Sequence, residues 1–409
     1  MRVLIVNNVS QSAMGGAETV VHETGKLLKG AGHQVSLFSI RSTDDGLPAD
    51  PSLPRWDLLA SHRTRISDSL ATVYSVEMRS ALRRCIRAFR PDVAHLHNVY
   101  EKLTLSVVDA LVHSGVPTVM TLHDYRAICP NGRLWTEGAP CHRCPEERSF
   151  MPALRRRCQH DSLVRTVVAA SEAWINSRTR RYFDIDVLIA PSRFLRDMVS
   201  AVIPHPHFAV VPNPATVAAP YRRAGRYPHF VFAGRLVPEK GIGEILDAAA
   251  HLPPEARVTL VGEGRAVPVV RARLQDGNLP VRLAGALSRR GVQELFSGAT
   301  AALLPSQWYE NCPMAIIEAA AMGTPSIATR LGGMEEVIEH GTDGFLVPPK
   351  DSAALAETMC MLSARPEVAR AAGRRAREKA LTRHGPHRYL ASIIRHYRHA
   401  MRLHGHREK

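Results

Sequence analysis

The chain has no run of about eighteen or more apolar residues, so nothing in it reads as a membrane-spanning helix. It also lacks the two glycine-rich signatures most readily tied to nucleotides. No G-x-G-x-x-G is present, which argues against a dinucleotide oxidoreductase, and no G-x-x-x-x-G-K-[ST], which argues against a P-loop ATPase. Acids are scarce: 38 Asp and Glu stand against 53 Lys and Arg, for a formal net charge of +15. Low-complexity segments are missing, and a 45% apolar content is that of a folded enzyme, not of a disordered or fibrous chain. The opening "MRVLIVNN" is too short and too soon polar for a signal peptide and reads as a first buried strand, so a cytoplasmic location is the expectation.

What is present is a repeated grammar. "RVLIV" is a continuous apolar run of the kind found in parallel strands buried on both faces. A loop, "SAMGGAE", then opens a helical pattern that ends at Gly30, and "HQVSLFSI" follows as a second strand. "DVAHLH", "PTVMTLH" and "IDVLIAPS" read as further strands. The pattern restarts near residue 229 with "HFVFAGRL", "RVTLVGEG", "VRLAG", "AALLPS" and "TPSIATR", with helices between them. Such alternation predicts two α/β doubly wound domains, with ligands bound at the carboxyl ends of their strands. The predicted boundaries are 1–215, carrying a cysteine-rich insert near 129–158, and 225–384, with a final helix at 385–409 belonging to either domain. The Pro-rich residues 204–228 are the candidate linker.

Basic residues concentrate in two places. Arg155, Arg156, Arg157, Arg165, Arg178, Arg180 and Arg181 occupy a helical-looking stretch, and from Pro366 onward twelve Lys or Arg face three acids. A solvated basic face is the plain explanation; an anionic membrane surface or a phosphorylated substrate is the functional one. No nucleic-acid module accompanies the charge, so no nucleic-acid partner is expected.

Three loops follow predicted strands. Gly15 and Gly16 permit close backbone approach at a helix start, or simply a tight turn. "AGRLVPEKG" places Arg235 and Lys240 where two cations can clamp a diphosphate. "WYENCPMAIIEAAAM" sets Glu310 in the turn after "AALLP", with Pro313 in the first turn of a helix and Glu318 deeper in it. Glu318 is flanked by Ile316, Ile317, Ala319, Ala320 and Ala321, and a Glu so flanked is seldom idle. The two carboxylates are too far apart to share a metal readily and suit two hydroxylated parts of one ligand.

The spacing "ENCPMAIIE" resembles the retaining nucleotide-sugar glycosyltransferases of family 4, also called group 1 glycosyltransferases. The resemblance continues through "GGAE", "TLHDY", "VPNP", "AGRLVPEKG", "VGEG" and "GGMEEVIEHGTDGFLVPPKD", in order across nearly the whole chain. It implies a GT-B fold, two Rossmann-like domains facing a central cleft. It further implies that Glu318 bonds the donor ribose, Glu310 the donor sugar, and Arg235 and Lys240 the diphosphate, with Gly15 and Gly16 touching it too. His123 stands at the reacting sugar, and backbone N–H groups of Cys312, Met314 and Ala315 hold further hydroxyls. Asn311-Cys312 departs from the small or apolar pair usual there, which leaves the donor sugar open. The expected reaction moves a sugar from a nucleotide diphosphate to a hydroxyl acceptor with retention, without a catalytic cofactor. The basic clusters point to a lipid-linked or anionic acceptor and to peripheral membrane contact. The rival functions are a sugar-nucleotide epimerase or phosphorylase on the same fold, and a non-catalytic sugar-nucleotide binding protein.

Four of the seven cysteines, Cys129, Cys141, Cys144 and Cys158, fall within thirty residues. A C-x2-C pair with outlying cysteines matches a structural four-thiolate zinc site; free thiols and disulfides are the rivals.

Overall fold

In the first strand, Val3, Leu4, Ile5 and Val6 have no exposed surface, as expected of a parallel strand covered on both faces. The computed structural model describes residues 1–9, 15–41, 55–59, 73–100, 102–215, 227–275, 277 and 279–407. It divides into two compact units: Met1–Thr136, Cys141–Pro212 and Tyr389–Lys409 form the first, and Glu137–Pro140 with Asn213–Arg388 form the second.

The first unit is built on a seven-stranded sheet. Its strands are β1 (Arg2–Val9), β2 (Gln34–Arg41), β3 (Arg55–Leu59), β4 (Val93–Leu96), β5 (Thr118–Thr121), β6 (Val187–Ala190) and β7 (Phe208–Val210). They lie in the order β3-β2-β1-β4-β5-β6-β7, every neighbouring pair parallel. The chain leaves the middle of the sheet in one direction and returns to build in the other, so the switch point lies between β1 and β4. Strand β7 falls inside the Pro-rich stretch read as a linker, which is therefore part of the sheet up to Val210; residues 216–226 of that stretch lie outside the described residues. From Tyr389 onward the last helix, Pro386–Arg407, packs into the first unit. Tyr389 meets Thr24 (2.7 Å), and Tyr397, fully buried, meets His95 (2.8 Å).

The second unit repeats the plan with six strands: β8 (His229–Ala233), β9 (Arg257–Val261), β10 (Val281–Gly285), β11 (Ala301–Leu304), β12 (Ser326–Thr329) and β13 (Gly344–Val347). Their order is β10-β9-β8-β11-β12-β13, again all parallel. The core between this sheet and its helices contains Phe230, Phe232, Leu260, Leu303, Ile316 and Leu355, all nearly or wholly buried. Glycine is required where loops cross at the strand ends. A Cβ on Gly262, which has φ of +128°, would lie 1.9 Å from the carbonyl oxygen of Gly234. The loop after β9 can therefore lie directly on the loop after β8.

Candidate active site

In the second unit the switch point lies between β8 and β11, and the residues singled out from sequence gather there. Arg235 follows β8 in the next loop, Lys240 ends a short 3-10 turn, and Glu310 lies in the turn after β11. Lys240 Nζ bonds Glu310 Oε1, and the same oxygen accepts from Trp308 Nε1 (2.6 Å) and Ser306 Oγ (2.8 Å). Three donors thus meet on one oxygen, and Oε2 accepts from none of them. Burial pushes the Glu310 carboxyl up, but the Lys240 ammonium and these hydrogen bonds outweigh it and hold it below the ordinary carboxylate range. Glu310 is therefore an anion and an acceptor.

Trp308 organises the two cations. Its ring lies 5.3 Å from Lys240 Nζ and 5.9 Å from Arg235 Cζ, within cation–π reach of both. Lys240 has a carboxylate partner; Arg235 is exposed and pairs with no acid among the described residues. The turn bearing Glu310 is held from behind by a glycine pair. Gly333 N–H donates to the Glu310 carbonyl (2.6 Å), and a Cβ on Gly333 would fall 1.8 Å from the Asn311 carbonyl oxygen. No larger residue fits there without moving the turn.

Pro313 is the N-cap of the helix Met314–Ala321, one position before the first-turn place expected from sequence. The side chains of Cys312 and Met314 are buried, and burial pushes the Cys312 thiol up to about 12. The Cys312 carbonyl accepts from Asn213 Nδ2 (2.9 Å). Ala315 opens the same helix beside Met314, so both N–H groups are among those an α-helix leaves without intrahelical partners. Glu318 is paired with Arg289, whose Nη2 lies 2.9 Å from Oε1.

The remaining candidates lie in the first unit. Gly15 is the N-cap of the helix Gly16–Gly30, and its extended backbone needs no special residue. A Cβ there would come within 2.8 Å of Glu18 Oε2, so a carboxylate already occupies the vicinity of this helix start. Ser12, Ala13 and Met14 of the "SAMGGAE" loop lie outside the described residues.

His123 follows β5 and shares a hydrogen bond with His97, whose Nδ1 is 2.9 Å from His123 Nε2. His97 is fully buried, and its Nε2 has no hydrogen-bond partner. In this pair one ring donates and the other accepts, according to the tautomers the two histidines adopt. Behind them His95 uses both nitrogens, with Tyr397 and Thr121 at 2.8 Å each. Burial lowers His123 to about 4, and burial with the neighbouring histidines lowers His97 well below its usual value. His123 is thus neutral at ordinary pH, a hydrogen-bonding group and not a cation. From sequence alone "DVAHLH" reads as a strand, and the H-x-H at its end is the signal that marks His95 and His97.

Cys129, Cys141, Cys144 and Cys158 wall one small cavity with Asn131, Thr136 and Trp135. All are free thiols. Cys129 donates to Asn131 (3.0 Å) and Cys158 to Thr136 (3.8 Å). Burial, reinforced by the neighbouring thiols, pushes Cys144 up to about 12. Among the described residues no three His, Cys, Asp or Glu side chains are arranged as a ready metal shell. The structure therefore brings the four together without the disulfide alternative and without a closed coordination geometry.

Comparison with known proteins agrees with this layout. The family described as Glycosyltransferase Family 4 matches residues 14–218, and that described as Glycosyl transferases group 1 matches residues 227–365. A glycogen synthase of Mycobacterium tuberculosis is 27% identical over 408 residues, covering 93% of this chain and 90% of that protein. An exopolysaccharide phosphotransferase of Streptomyces coelicolor is 31% identical over 195 residues, but the match spans only 20% of that protein and 46% of this chain. The fold matches that of Anabaena HepE, solved in complex with UDP-glucose, at a TM-score of 0.68 and 18% identity, covering 97% of this chain and 98% of that one. The chain belongs to the group 1, family 4 glycosyltransferases and has their two-domain Rossmann-like GT-B fold.

Proposed function

We propose that the protein transfers a sugar from a nucleotide diphosphate to a hydroxyl acceptor with retention at the anomeric carbon. The observation that carries this reading is Arg235, a cation with no acid partner among the described residues, set with Lys240 over Trp308 at the strand-end switch point. Two such cations suit a diphosphate leaving group and stabilise the charge that grows on it as the sugar departs. Glu310, anionic with Oε2 unengaged by its three donors, suits the sugar hydroxyls; Glu318, steadied by Arg289, suits the ribose. First-turn N–H groups of Met314 and Ala315, with that of Cys312, hold further hydroxyls. His123, neutral, keeps the place at the reacting sugar that the family resemblance gives it, as Gly15 and Gly16 keep theirs at the diphosphate. The anomeric C–O bond to phosphate breaks as the C–O bond to the acceptor forms on the same face, and the acceptor proton passes to the departing diphosphate. HepE, of similar fold, was solved with UDP-glucose, which makes a UDP-sugar the first donor to try. The basic clusters favour a lipid-linked or anionic acceptor.

The test is a melting panel of UDP-, GDP- and ADP-sugars, followed by NMR of the product made from the one that binds. One nucleotide sugar should raise the melting temperature by mass action and give a product of unchanged anomeric configuration. An inverted product rejects retention; an epimerised donor, or binding without turnover, installs the rival functions.

The four cysteines support a second, separate proposal, a structural zinc ion that draws them together from the walls of their shared cavity, since four thiolates are the donor number of such a site. Zinc would displace the thiol protons now donated to Asn131 and Thr136. Metal analysis of the purified protein should find about one zinc per chain, lost in Cys141→Ser. Background metal with four titratable thiols rejects the site.

A further inference from the structure

Twelve large apolar side chains are exposed among the described residues, and five of them fall between residues 151 and 174. Four stand on one helix, Leu163–Arg178: Leu163 (49% exposed), Val164 (70%), Val167 (44%) and Trp174 (54%). At about 100° per residue they lie within roughly 100° of arc, one contiguous stripe. Met151, 50% exposed, begins the neighbouring helix Met151–Arg155, which packs against the first. Among the described residues nothing buries this stripe. Thr166, Ala170, Glu172 and Asn176 bury other faces of the helix, and Ser162 caps its start by accepting from Arg165 N–H.

The rim of the stripe is basic. Arg155, Arg157, Arg178 and Arg180 are exposed, and Arg178 lies over the Trp174 ring at 5.7 Å. Between residues 151 and 181 the only acids are Asp161 and Glu172, and Glu172 is buried. A second copy of the chain docked across a two-fold axis would set these arginines against their own equivalents. A bilayer carrying anionic headgroups answers both halves of the surface: its charge meets the guanidinium groups while its acyl boundary takes the valines, the leucine and the indole.

We propose that Met151, Leu163, Val164, Val167 and Trp174, with the arginines around them, seat the first unit on an anionic lipid surface. This deepens the reading of a lipid-linked or anionic acceptor, because an enzyme held at the bilayer meets such an acceptor in two dimensions. The seating itself does not depend on transfer chemistry.

The full chain is sedimented with vesicles of phosphatidylcholine alone and of phosphatidylcholine mixed with phosphatidylglycerol, while Trp174 emission is followed against Trp174→Phe. Wild type should sediment with the mixed vesicles only, shift its emission to the blue, and be released by salt. Val164→Ser with Val167→Ser, and separately Arg155→Gln with Arg157→Gln and Arg178→Gln, should each lower partitioning by roughly tenfold. Both sets alter exposed side chains only, so melting and nucleotide-sugar binding should be unchanged, and the donor panel reports on transferase function independently. Equal binding to both vesicle types, or variants that bind as wild type does, overturns the proposal. So does a dimer abolished by the two serine substitutions without any vesicle binding, which would make the stripe a protein interface.

Discussion

Glu310→Gln is expected to lower kcat by roughly 10²–10³-fold while donor affinity changes little, the size of effect seen when one preorganised polar group at a reacting centre is removed. The carboxylate is charged, and Lys240, Trp308 and Ser306 all point at one of its oxygens. An amide keeps the shape but removes the charge, and it presents an NH2 group to a cluster of donors. Lys240→Ala and Arg235→Ala should each remove roughly 2–4 kcal/mol of transition-state stabilisation, yet they should differ in stability. Lys240 and Glu310 form a pair with side chains 14% and 11% exposed, and removing one partner of so buried a pair costs about 3–5 kcal/mol. Without Lys240 the Glu310 carboxyl should titrate higher, since burial is then opposed only by Trp308 and Ser306. Arg235 has no acid partner among the described residues, so its loss should weaken donor turnover and leave melting alone. Kinetics at saturating acceptor and melting without ligand separate these outcomes. A fully active Glu310→Gln, or an Arg235→Ala that melts early and turns over normally, would sink the assignment.

The second large effect is expected on acidification. His95 and His97 are fully buried, and burial, aided by the neighbouring histidines, lowers His95 to about 3 and His97 well below its usual value. His123 beside them is lowered to about 4. Tyr397 and Thr121 hydrogen-bond His95, and His97 and His123 hydrogen-bond each other. The unfolded chain takes up protons on these residues near pH ~6.5, while the folded chain refuses them. Stability therefore rises with pH across this window and is lost as pH falls from about 6.5 toward 4, by several kcal/mol in total. Denaturant unfolding at pH about 7, 5.5 and 4.5 measures the slope, and His95→Gln should flatten part of it. Carboxylates held low, such as Glu310, lose their contribution only at more acid pH, so the two sources separate. Constant stability over this range would contradict the buried neutral cluster.

The strands were legible because parallel strands covered on both faces leave unbroken apolar runs, as in Val3–Val6 and Ala301–Leu304. Strand β13 and the edge strands β3 and β7 carry weaker signals, and β7 was hidden among prolines that suggested a linker. At the site, Arg235, Lys240 and Glu310 could be found because each sits just beyond a strand. Their companions could not. Trp308 and Ser306 share the quoted stretch with Glu310, but only the folded turn shows that all three converge on one oxygen. Arg289 reaches Glu318 from another helix, 29 positions earlier, and local patterning carries no trace of that pair. Gly333 was visible only as part of a resemblance; its reason is the carbonyl of Asn311 lying where a side chain would be.

The last helix gives the chain an unusual schedule. Tyr389 and Tyr397 complete hydrogen bonds to Thr24 and His95, partners 365 and 302 positions earlier. On the ribosome, domains ordinarily fold as they emerge, amino-terminal first. Here the opening sheet is synthesised early but keeps a buried histidine and a buried threonine hydroxyl without their tyrosine partners until the helix Pro386–Arg407 leaves the exit tunnel. Completion of the first unit therefore waits on synthesis of the whole second unit and the helix after it, and a nascent chain stalled before Tyr389 presents an unfinished core for chaperones to guard.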